Sequence, residues 1–309
     1  MSKPIISLAP MEGITDRSFR HLIVECNAPG SVAMTTTEFV RVSQLPTPLL
    51  QLQDILGDKP AHTKTGIQLM GNDVEILVES ARRAAEAGAD FIDYNFGCPA
   101  PRVFKHGAGS ALLAKPNLIA DIVRESKAAV NIPVSAKIRS GIDHDSNIED
   151  MCKQIEDAGA DLIIIHGRLK TDRYTDPANW SRITRAVNAV NIPVHGNGDA
   201  VDNKTIQQML DQTGCAGVMI GRGALNNPWI FDEYINNTAR RTPRQFSDWL
   251  SNYAKLMAKR GATETQVLGK LKQAAKAMGP AGNIPFAQSL LRSNDFFGDL
   301  EHLLSEDLV

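Results

Sequence analysis

The segment Asp90-Phe91-Ile92-Asp93-Tyr94-Asn95-Phe96-Gly97-Cys98-Pro99 joins an apolar run to a turn that carries a cysteine. Residues 90–94 predict a buried strand. The glycine before Cys98 and the proline after it predict a tight turn just past the end of that strand. Because α/β enzymes assemble reactive groups at the carboxyl ends of parallel strands, a thiol at this place has three candidate functions. It can act as a nucleophile, a metal ligand or a proton donor.

The alternation of strands and helices continues along the first 230 residues. Eight strands are predicted, over Ile5–Ala9, Val32–Thr36, Gly66–Met70, Phe91–Asn95, Val134–Ile138, Leu162–His166, Val194–Gly196 and Val218–Gly221. Amphipathic stretches between them predict helices, among them Asp73–Ala87, Asn117–Val130, Ile148–Ala158, Trp180–Val190 and Lys204–Gln212. Eight strands with intervening helices predict an α/β fold, a (β/α)₈ TIM barrel.

Two internal repeats support the barrel. The segment Val130-Asn131-Ile132-Pro133-Val134 recurs as Val190-Asn191-Ile192-Pro193-Val194, and Glu86-Ala87-Gly88-Ala89-Asp90 recurs as Asp157-Ala158-Gly159-Ala160-Asp161. Each copy joins the end of a predicted helix to the start of a strand, and the second repeat does so at a glycine. Such junctions lie at the bottom of a barrel, so we assign them to stability rather than to chemistry.

The chain changes character after Trp229, where the strand pattern ends. Helices are predicted over Phe246–Arg260, Glu264–Met278 and Ile284–Ser293. We therefore predict two domains, a TIM barrel over residues 1–238 and a small all-helical domain over residues 239–309.

Charge is segregated in this C-terminal part. Residues 239–292 carry ten basic and two acidic side chains, whereas residues 293–309 carry five acidic side chains and no Lys or Arg. The net charge of the whole chain is −2, which argues against a globally basic nucleic-acid binder. The basic segment nevertheless favours a surface that faces a polyanion, with a merely solvated helical face as the alternative.

Composition excludes several other classes. No apolar run approaches the ~18 residues of a membrane span, and the N-terminus lacks the pattern of a signal peptide. The four cysteines are widely spaced, without a C-x-x-C pair: Cys26, Cys98, Cys152 and Cys215. This spacing argues against a zinc site and a disulfide framework and favours a reducing compartment. We expect a cytoplasmic monomer that binds neither a metal nor a membrane.

Polar residues and glycines follow the predicted strands at their carboxyl ends. They are Glu12 after the first strand, Glu38 after the second, Gln68 in the third, Asn95 and Cys98 at the fourth, Lys137 and Arg139 at the fifth, His166 at the sixth, Asn197 and Asp199 at the seventh and Arg222 at the eighth. Any one of them has a structural explanation. Eight such strand ends together predict an active site at this end of the barrel.

Two glycine-rich turns follow the last two strands, Gly196-Asn197-Gly198-Asp199 and Gly221-Arg222-Gly223. They predict a phosphate site, because backbone N–H groups beside a helix start bind anions. Lys137 suits a ring that gains negative charge on reduction, and Gln68 suits a pyrimidine-like edge. Flavin mononucleotide (FMN) would use all of these groups, whereas a sugar phosphate leaves Gln68 and Lys137 less explained. Turns that merely need a positive φ are the structural alternative.

Several of these segments together resemble the tRNA-dihydrouridine synthases. The matching segments are Ala9-Pro10-Met11-Glu12-Gly13-Ile14-Thr15-Asp16, Asn95-Phe96-Gly97-Cys98-Pro99, Gly107-Ala108-Gly109-Ser110-Ala111-Leu112-Leu113, Lys137-Ile138-Arg139, His166-Gly167-Arg168, Asn197-Gly198-Asp199 and Gly221-Arg222-Gly223-Ala224. They occur in the order typical of the family and cover about the first 230 residues. The N-x-G-C-P block is the most specific of them.

The resemblance implies a flavoenzyme that reduces uridines of tRNA to 5,6-dihydrouridine with FMN and NADPH. Hydride would go from reduced flavin to C6, and Cys98 would give a proton to C5. The implied cofactor contacts are Pro10, Met11, Gln68, Lys137, His166, Asn197, Gly198, Asp199, Gly221 and Arg222. The implied substrate and tRNA contacts are Glu38, Arg41, Asn95, Arg102, Arg139, Lys270, Lys272 and Lys276.

Within the family, two segments are most similar to the bacterial C-type synthases, which act on U16 of the D-loop. They are Pro10-Met11-Glu12-Gly13 and Thr37-Glu38-Phe39-Val40-Arg41-Val42. Three alternatives stay open on the residues themselves. They are an FMN barrel enzyme that acts on a free pyrimidine or an enone, a barrel that binds RNA without catalysis, and a sugar-phosphate isomerase or lyase without flavin.

Overall fold

The computed structural model describes residues 4–283, 287–292 and 298, and it contains a closed barrel of eight parallel strands. The barrel strands are β1 (Ile5–Leu8), β2 (Met34–Thr36), β4 (Lys64–Met70), β5 (Phe91–Phe96), β6 (Val134–Arg139), β7 (Leu162–His166), β8 (Val194–Asn197) and β9 (Gly217–Ile220). The pairing of β2 with β4 and of β1 with β9 closes the barrel. A two-residue strand, β3 (Val40–Arg41), pairs with the upper end of β4. The predicted (β/α)₈ fold is confirmed.

Helices surround the barrel and fill its connections. They are α1 (Arg17–Glu25), α2 (Leu49–Leu56), α3 (Val74–Glu86), α4 (Pro101–Lys105), α5 (Pro116–Ala129), α6 (Ile148–Asp157), α7 (Ser181–Ala189), α8 (Asn203–Thr213), α9 (Arg222–Asn226) and α10 (Ile230–Ile235), with a 3₁₀ helix over Gly109–Ala114. At both junctions of the second repeat a glycine with positive φ, Gly88 at 97° and Gly159 at 93°, follows the helix. None of the helices within the described ranges is long and apolar enough to cross a membrane.

The register of the strands stacks polar side chains inside the barrel. Gln68 and Asp93 are partners across β4 and β5, and Asp93 and Ser135 are partners across β5 and β6. Nearer the carboxyl ends, Asn95 is the partner of Lys137. Successive polar positions of one strand therefore lie above each other and lead toward the mouth of the barrel.

The bottom of the barrel is filled by apolar side chains. The ring of Phe91 occupies the place of a side chain at Gly66, where a Cβ would lie 2.2 Å from the ring. This position therefore requires glycine. Higher in the barrel, toward the carboxyl ends of the strands, Ala9, Ile164 and Met219 form a small buried cluster of their own. The barrel is a packed core below its mouth rather than a channel.

Two long helices follow the barrel, α11 (Pro243–Lys259) and α12 (Glu264–Met278), and a third, α13 (Ala287–Arg292), comes after them. Helix α11 packs on α1 through aromatic rings. Phe19 meets Trp249 and Tyr253 edge-on, with ring centroids 5.6 Å and 5.9 Å apart. The hydroxyl of Tyr253 also donates a hydrogen bond to Asp16, at 3.1 Å. These contacts attach the C-terminal helices to the amino-terminal part of the chain.

The helices after the barrel differ from their predicted bounds in one informative place. Helix α11 begins three residues before the predicted Phe246, because Thr242 and Gln245 form a capping box and Pro243 occupies the first turn. Of the predicted helix Ile284–Ser293, residues 284–286 and 293 lie outside the described residues, as does the acidic tail from 293 onward apart from Gly298. The division into domains 1–238 and 239–309 stays a prediction.

Candidate active site

A cavity of about 620 Å³ opens at the carboxyl ends of the strands, a volume within the usual range of ligand and cofactor sites. It brings together most of the predicted site residues. Those that line it are Pro10, Met11, Asn95, Cys98, Lys137, Arg139, His166, Asn197, Gly198, Asp199, Gly221 and Arg222.

The turn that carries Cys98 is held on both sides of its peptide. The side-chain oxygen of Asn95 accepts the N–H groups of Gly97 and Cys98, at 3.1 Å and 2.9 Å. The carbonyl oxygen of Cys98 accepts the N–H and the hydroxyl of Ser110, at 3.1 Å and 2.8 Å. Gly109 lies so close that a Cβ there would be 2.9 Å from this oxygen. The backbone of Cys98 is therefore fixed at the wall of the cavity.

The thiol of Cys98 is half-buried, and its surroundings keep it protonated. Burial raises the pKa of this thiol above its ordinary value, and the negative charge of Glu12 acts in the same direction. The backbone N–H of Ala100, and after it the cations Arg139 and Arg41, lower this pKa only in part. A thiol with a raised pKa is a proton donor at neutral pH rather than a nucleophilic thiolate. Within the described part of the chain, no cluster of three potential ligands could hold a metal ion.

Behind the cavity wall, side chains of three strands form a line of hydrogen bonds. The carboxylate of Asp93 accepts the hydroxyl of Ser135 and the side-chain amide of Gln68, at 2.7 Å and 2.6 Å. The amide of Asn95 donates to the side-chain oxygen of Gln68, at 2.8 Å. Gln68 and Asp93 are fully buried. The line ends at the N–H of Cys98, through the side-chain oxygen of Asn95.

Lys137 is the cation at the centre of the cavity. Its ammonium group donates to the side-chain oxygen of Asn197 at 3.0 Å, and the amide of Asn197 donates to the carbonyl of Met219 at 2.7 Å. Burial lowers the pKa of Lys137 to about 8, and the charge of Asp93 opposes that shift. The ammonium form therefore predominates at neutral pH, but it is less strongly favoured than in water.

His166 is neutral in this setting. Burial lowers its pKa well below the ordinary value, and the cations Lys137, Arg139, Arg168 and Arg222 lower it further. Its Nδ1 atom accepts the N–H of Arg168 at 3.2 Å. A neutral ring that accepts at Nδ1 carries its proton on Nε2. His166 thus offers the cavity an uncharged hydrogen-bond donor.

Tyr174 is a cavity residue that the sequence analysis missed. It lies in the loop after β7, and 57% of its surface is exposed at the rim. The guanidinium groups of Arg139 and Arg222 lie 5.4 Å and 5.6 Å from its ring centre, within reach of cation–π attraction. Its loop has no regular secondary structure, so the only signal in the sequence is an aromatic residue close to Asp172, Arg173 and Asp176.

The turns after β8 and β9 meet at one end of the cavity. Asp199 adopts a positive φ of 63°, and its carboxylate accepts hydrogen bonds from Arg168 at 2.7 Å and from Arg222 at 2.8 Å. The backbone N–H groups of Asp199, Ala200, Arg222 and Gly223 have no acceptor among the described residues. These N–H groups and the guanidinium of Arg222 form a donor set that fits a phosphate.

The middle of the cavity offers polar groups that suit a ring. A Cβ at Gly221 would lie 3.2 Å from the sulfur of Met11, so a glycine at this position lets Met11 pack closely against the turn. Lys137 and the Nε2–H of His166 offer a cation and a neutral donor to the same space. The donor set as a whole therefore fits a flavin nucleotide, with Arg222 and the turns at its phosphate and Lys137 at its ring.

Seven of the predicted site residues do not line the cavity. Gln68 lies behind Asn95, and Glu38 lies near Lys270 and Asp16, where burial raises its pKa. Lys270 forms an ion pair with Asp16 at 2.9 Å and donates to the carbonyl of Gly13 at 2.7 Å. The remaining four, Arg41, Arg102, Lys272 and Lys276, lie on exposed or half-exposed surface. Their predicted contacts with substrate stay predictions.

The fold and the site define a class of protein: a TIM-barrel enzyme with a protonated thiol, a largely buried lysine and turns with backbone N–H groups that are unpaired within the described chain, all around one cavity. The family model of the dihydrouridine synthases matches residues 7–283. The chain belongs to the dihydrouridine synthase family. It is therefore an enzyme, a flavin-dependent oxidoreductase.

Similar proteins carry names from the same family. The tRNA-dihydrouridine synthase B of Pseudomonas aeruginosa is 40% identical over 227 residues, which cover 73% of this chain and 67% of the relative. The tRNA-dihydrouridine(16) synthase of Shewanella oneidensis is 36% identical over 253 residues, which cover 79% of this chain and 78% of the relative. The tRNA-dihydrouridine synthase B of Escherichia coli K12 is 38% identical over 226 residues, 73% of this chain and 69% of the relative.

Solved structures show the same fold at much lower identity. Morphinone reductase superposes with a TM-score of 0.53 at 14% identity, over 78% of this chain and 87% of its own. Histamine dehydrogenase from Rhizobium superposes with a TM-score of 0.59 at 13% identity, over 82% of this chain and 49% of its own. At this identity the likeness concerns the barrel fold alone.

Proposed function

We propose that this chain reduces the uridine at position 16 of tRNA to 5,6-dihydrouridine, with FMN in the barrel cavity and NADPH as the reductant. The observation that carries the proposal is the protonated thiol of Cys98 at the wall of the cavity that also contains Lys137 and the anion-binding turns. Membership of the family and the names of the relatives support the reaction.

When FMN is bound in the cavity and has been reduced by NADPH, it would supply a hydride to C6 of the uracil ring. Cys98 then acts as the general acid: its S–H bond breaks as a C5–H bond forms, and water returns a proton to the thiolate. Burial suits this step, because a thiol with a raised pKa keeps its proton until C5 becomes basic. Asn95 and Ser110 hold the Cys98 peptide in place during the transfer.

Other side chains of the cavity would bind and orient the flavin or support the Cys98 turn. Lys137 would lie beside the part of the flavin ring that gains negative charge, and Arg222 with the turns at Asp199 and Gly223 would hold the phosphate. Arg139 donates to the carbonyls of Gly97 and Leu169, at 3.0 Å and 2.6 Å, which supports the Cys98 turn from the other side.

The nucleic acid would contact lysines on the surface of the C-terminal helices. These are Lys255 and Lys259 on α11, and Lys272 and Lys276 on α12, all exposed or half-exposed. Lysines at a protein surface bind phosphate without reading sequence, and they position a folded RNA over the cavity. The target base must leave its stack to reach Cys98.

Position 16 is favoured by two observations. The segments Pro10–Gly13 and Thr37–Val42 are similar to those of the C-type synthases. A tRNA-dihydrouridine(16) synthase, that of Shewanella oneidensis, is also among the relatives that match most of this chain, 79% of it. We further propose that the helices after the barrel form a separate tRNA-binding domain over residues 239–309.

The test is reduction of a tRNA transcript by the purified protein, followed by mapping of dihydrouridine at each position. We expect the purified protein to show flavin absorbance with the same spectrum as FMN. It should oxidise NADPH when the transcript is present and produce dihydrouridine at position 16. A transcript with cytidine at position 16 is the matched control and should stay unmodified. Turnover of free uracil without turnover of the transcript would contradict the proposal, and NADH in place of NADPH tests the reductant.

A further inference from the structure

Asp93 is a buried carboxylate that does not reach the cavity. Its side chain lies inside the barrel below Asn95, with no exposed surface. A buried charge is costly unless hydrogen bonds compensate it, and here two do, from Ser135 and from Gln68. The proposed reaction needs no acid or base at this depth, so the position of Asp93 calls for another explanation.

The chemistry of Asp93 determines how its neighbours face. An ionised carboxylate only accepts hydrogen bonds, so Gln68 must direct its NH₂ group toward Asp93. The side-chain oxygen of Gln68 then faces Asn95, so Asn95 must donate a hydrogen bond to it from its own NH₂ group. The oxygen of Asn95 is left to accept the N–H groups of Gly97 and Cys98.

We propose that Asp93 is a positioning residue for the Cys98 turn, because it sets the direction of the amide relay formed by Asp93, Gln68 and Asn95. The relay runs from a fixed acceptor in the barrel interior to the peptide of Cys98. The inference rests on the proposed function, in which Cys98 is the proton donor. It adds a residue that acts on Cys98 without touching the cavity.

The direction matters because an amide has a donor end and an acceptor end of nearly the same shape. If the relay reversed, the NH₂ group of Asn95 would face the N–H groups of Gly97 and Cys98. Two donors cannot bond to each other, so the turn would move away from Asn95. A proton donor displaced by a fraction of an ångström loses its alignment with the reacting carbon.

The state of Asp93 at neutral pH agrees with this role. Burial raises the pKa of Asp93 to about 6, while Ser135, Gln68 and the cation Lys137 oppose that shift. The carboxylate is therefore ionised above this pH and acts as an acceptor only. Lys137 is the charged group that faces it from the neighbouring strand.

The test begins with Asn95→Asp, which places an acceptor at each end of Gln68. One amide cannot direct its NH₂ group to both carboxylates, so one of them faces the oxygen of Gln68. We expect this variant to lose uridine reduction about 100-fold and to unfold at a temperature about 5 °C lower, as for other mispaired buried polar groups.

The decisive variant adds Asp93→Asn to Asn95→Asp. The new amide at position 93 would donate to the oxygen of Gln68 and still accept from Ser135. Gln68 would then donate to the new carboxylate at position 95, which still accepts from Cys98. Every hydrogen bond is restored with the relay reversed. We expect at least about tenfold recovery of uridine reduction and recovery of most of the lost unfolding temperature.

The matched control is Ser135→Ala in the Asn95→Asp background. It also removes a hydrogen bond partner of Asp93, but it leaves the acceptor that faces Gln68. No recovery is expected. Equal recovery with Ser135→Ala, or no recovery with Asp93→Asn, would overturn the proposal.

If neither the Asn95→Asp variant nor its double variant with Asp93→Asn folds, a second pair of variants tests the same proposal. Gln68→Glu places two carboxylates face to face, and adding Asp93→Asn gives the new carboxylate at position 68 a donor again. Recovery of the unfolding temperature in the double variant supports the relay, and its absence refutes it. Unfolding temperatures are measured without substrate, so they test the relay even if the wild-type chain makes no dihydrouridine and the proposed function fails.

Discussion

The cations at the mouth of the barrel and those on the C-terminal helices are the same chemical groups in opposite surroundings. Lys137 and Arg139 lie inside the site, where each donates to a named oxygen and where burial lowers their pKa values. Lys272 and Lys276 lie on the surface of α12, without an ion-pair partner among the described residues. The comparison shows how one chain separates two tasks that both need positive charge.

Burial is what separates the two tasks. A desolvated cation acts over a short distance on one atom, and its position is fixed by the sheet. An exposed cation acts through a screened field, and its exact position matters little. We therefore expect substitutions in the barrel to alter chemistry at all salt concentrations, and substitutions on α12 to alter binding mainly at low salt.

The largest effect should come from a substitution inside the barrel site, at Cys98. Cys98→Ala removes the proposed acid and should slow uridine reduction about 10²- to 10⁴-fold, the usual contribution of general acid catalysis. Flavin absorbance and the rate of flavin reduction by NADPH should stay close to those of the wild type. Cys215→Ala, at a buried thiol outside the cavity lining, is the control. Wild-type turnover by Cys98→Ala would rule out the proton-donor role.

Lys137→Met tests the buried cation itself, since methionine keeps much of the length of the side chain without its charge. We expect uridine reduction to fall about 100-fold, as for other lost donors at developing charge, and the bound flavin to become harder to reduce. Stopped-flow reduction and a redox titration measure the two effects. Lys272→Met should leave flavin reduction unchanged, and any loss of uridine reduction should disappear at saturating tRNA. If both variants behaved alike, the distinction between the two groups of cations would fail.

Charge reversal on the exposed side should produce a smaller effect that depends on salt. Lys272→Glu with Lys276→Glu should weaken tRNA binding and reduce the slope of log affinity against log salt by about 1 to 2. Fluorescence titration of labelled tRNA at several salt concentrations measures the slope. Lys153→Glu, at an exposed lysine on α6, serves as the control. An unchanged slope would remove α12 from the RNA interface.

Lys270 should behave unlike its neighbours on α12. It pairs with Asp16 and donates to Gly13, so Lys270→Glu would place a second carboxylate against Asp16. The unfolding temperature should fall by about 2 to 4 °C, for a cost of about 1 kcal/mol. Lys276→Glu should leave that temperature unchanged, and thermal unfolding of the two variants checks the contrast.

The smallest effect concerns pH. Lys137 has a pKa of about 8, below its ordinary value, so it is an ammonium below that pH and loses its charge as the pH rises through it. The kcat/KM for uridine reduction should therefore fall above pH 8. The raised pKa of Cys98 places thiol ionisation at higher pH, and His166, whose pKa lies well below 6.5, adds no step there. Lys137→Arg should move the falling limb upward, and an unmoved limb would assign it to another group.

Much of the fold could be predicted because the barrel strands are short, apolar and β-branched and their helices are amphipathic. The cavity could be predicted in part for a related reason: the ends of parallel strands meet, so Lys137, His166 and Asn197 had to be neighbours. The place of the two glycine-rich turns at one end of the cavity could be predicted from their glycines, and their binding of a phosphate stays a prediction. These are all inferences that local sequence supports.

Other features depend on register and tertiary contact, which a single sequence does not contain. Gln68 was predicted to face the flavin, whereas the structure shows its amide between Asp93 and Asn95, since adjacent strands align these three side chains. Lys270 was predicted to face RNA, and the structure shows it paired with Asp16, far away in the chain. Both predicted contacts remain to be tested in a complex.

The attachment of the Cys98 peptide on two sides has a consequence for the redesign of such barrels. Its peptide is fixed from one side by Asn95 and from the other by Ser110, with Gly109 packed against it. The two segments therefore form one structural unit, although α4 separates them along the chain. Recombination that exchanges one segment without the other should yield inactive chimaeras, and a graft into another barrel must transfer both together.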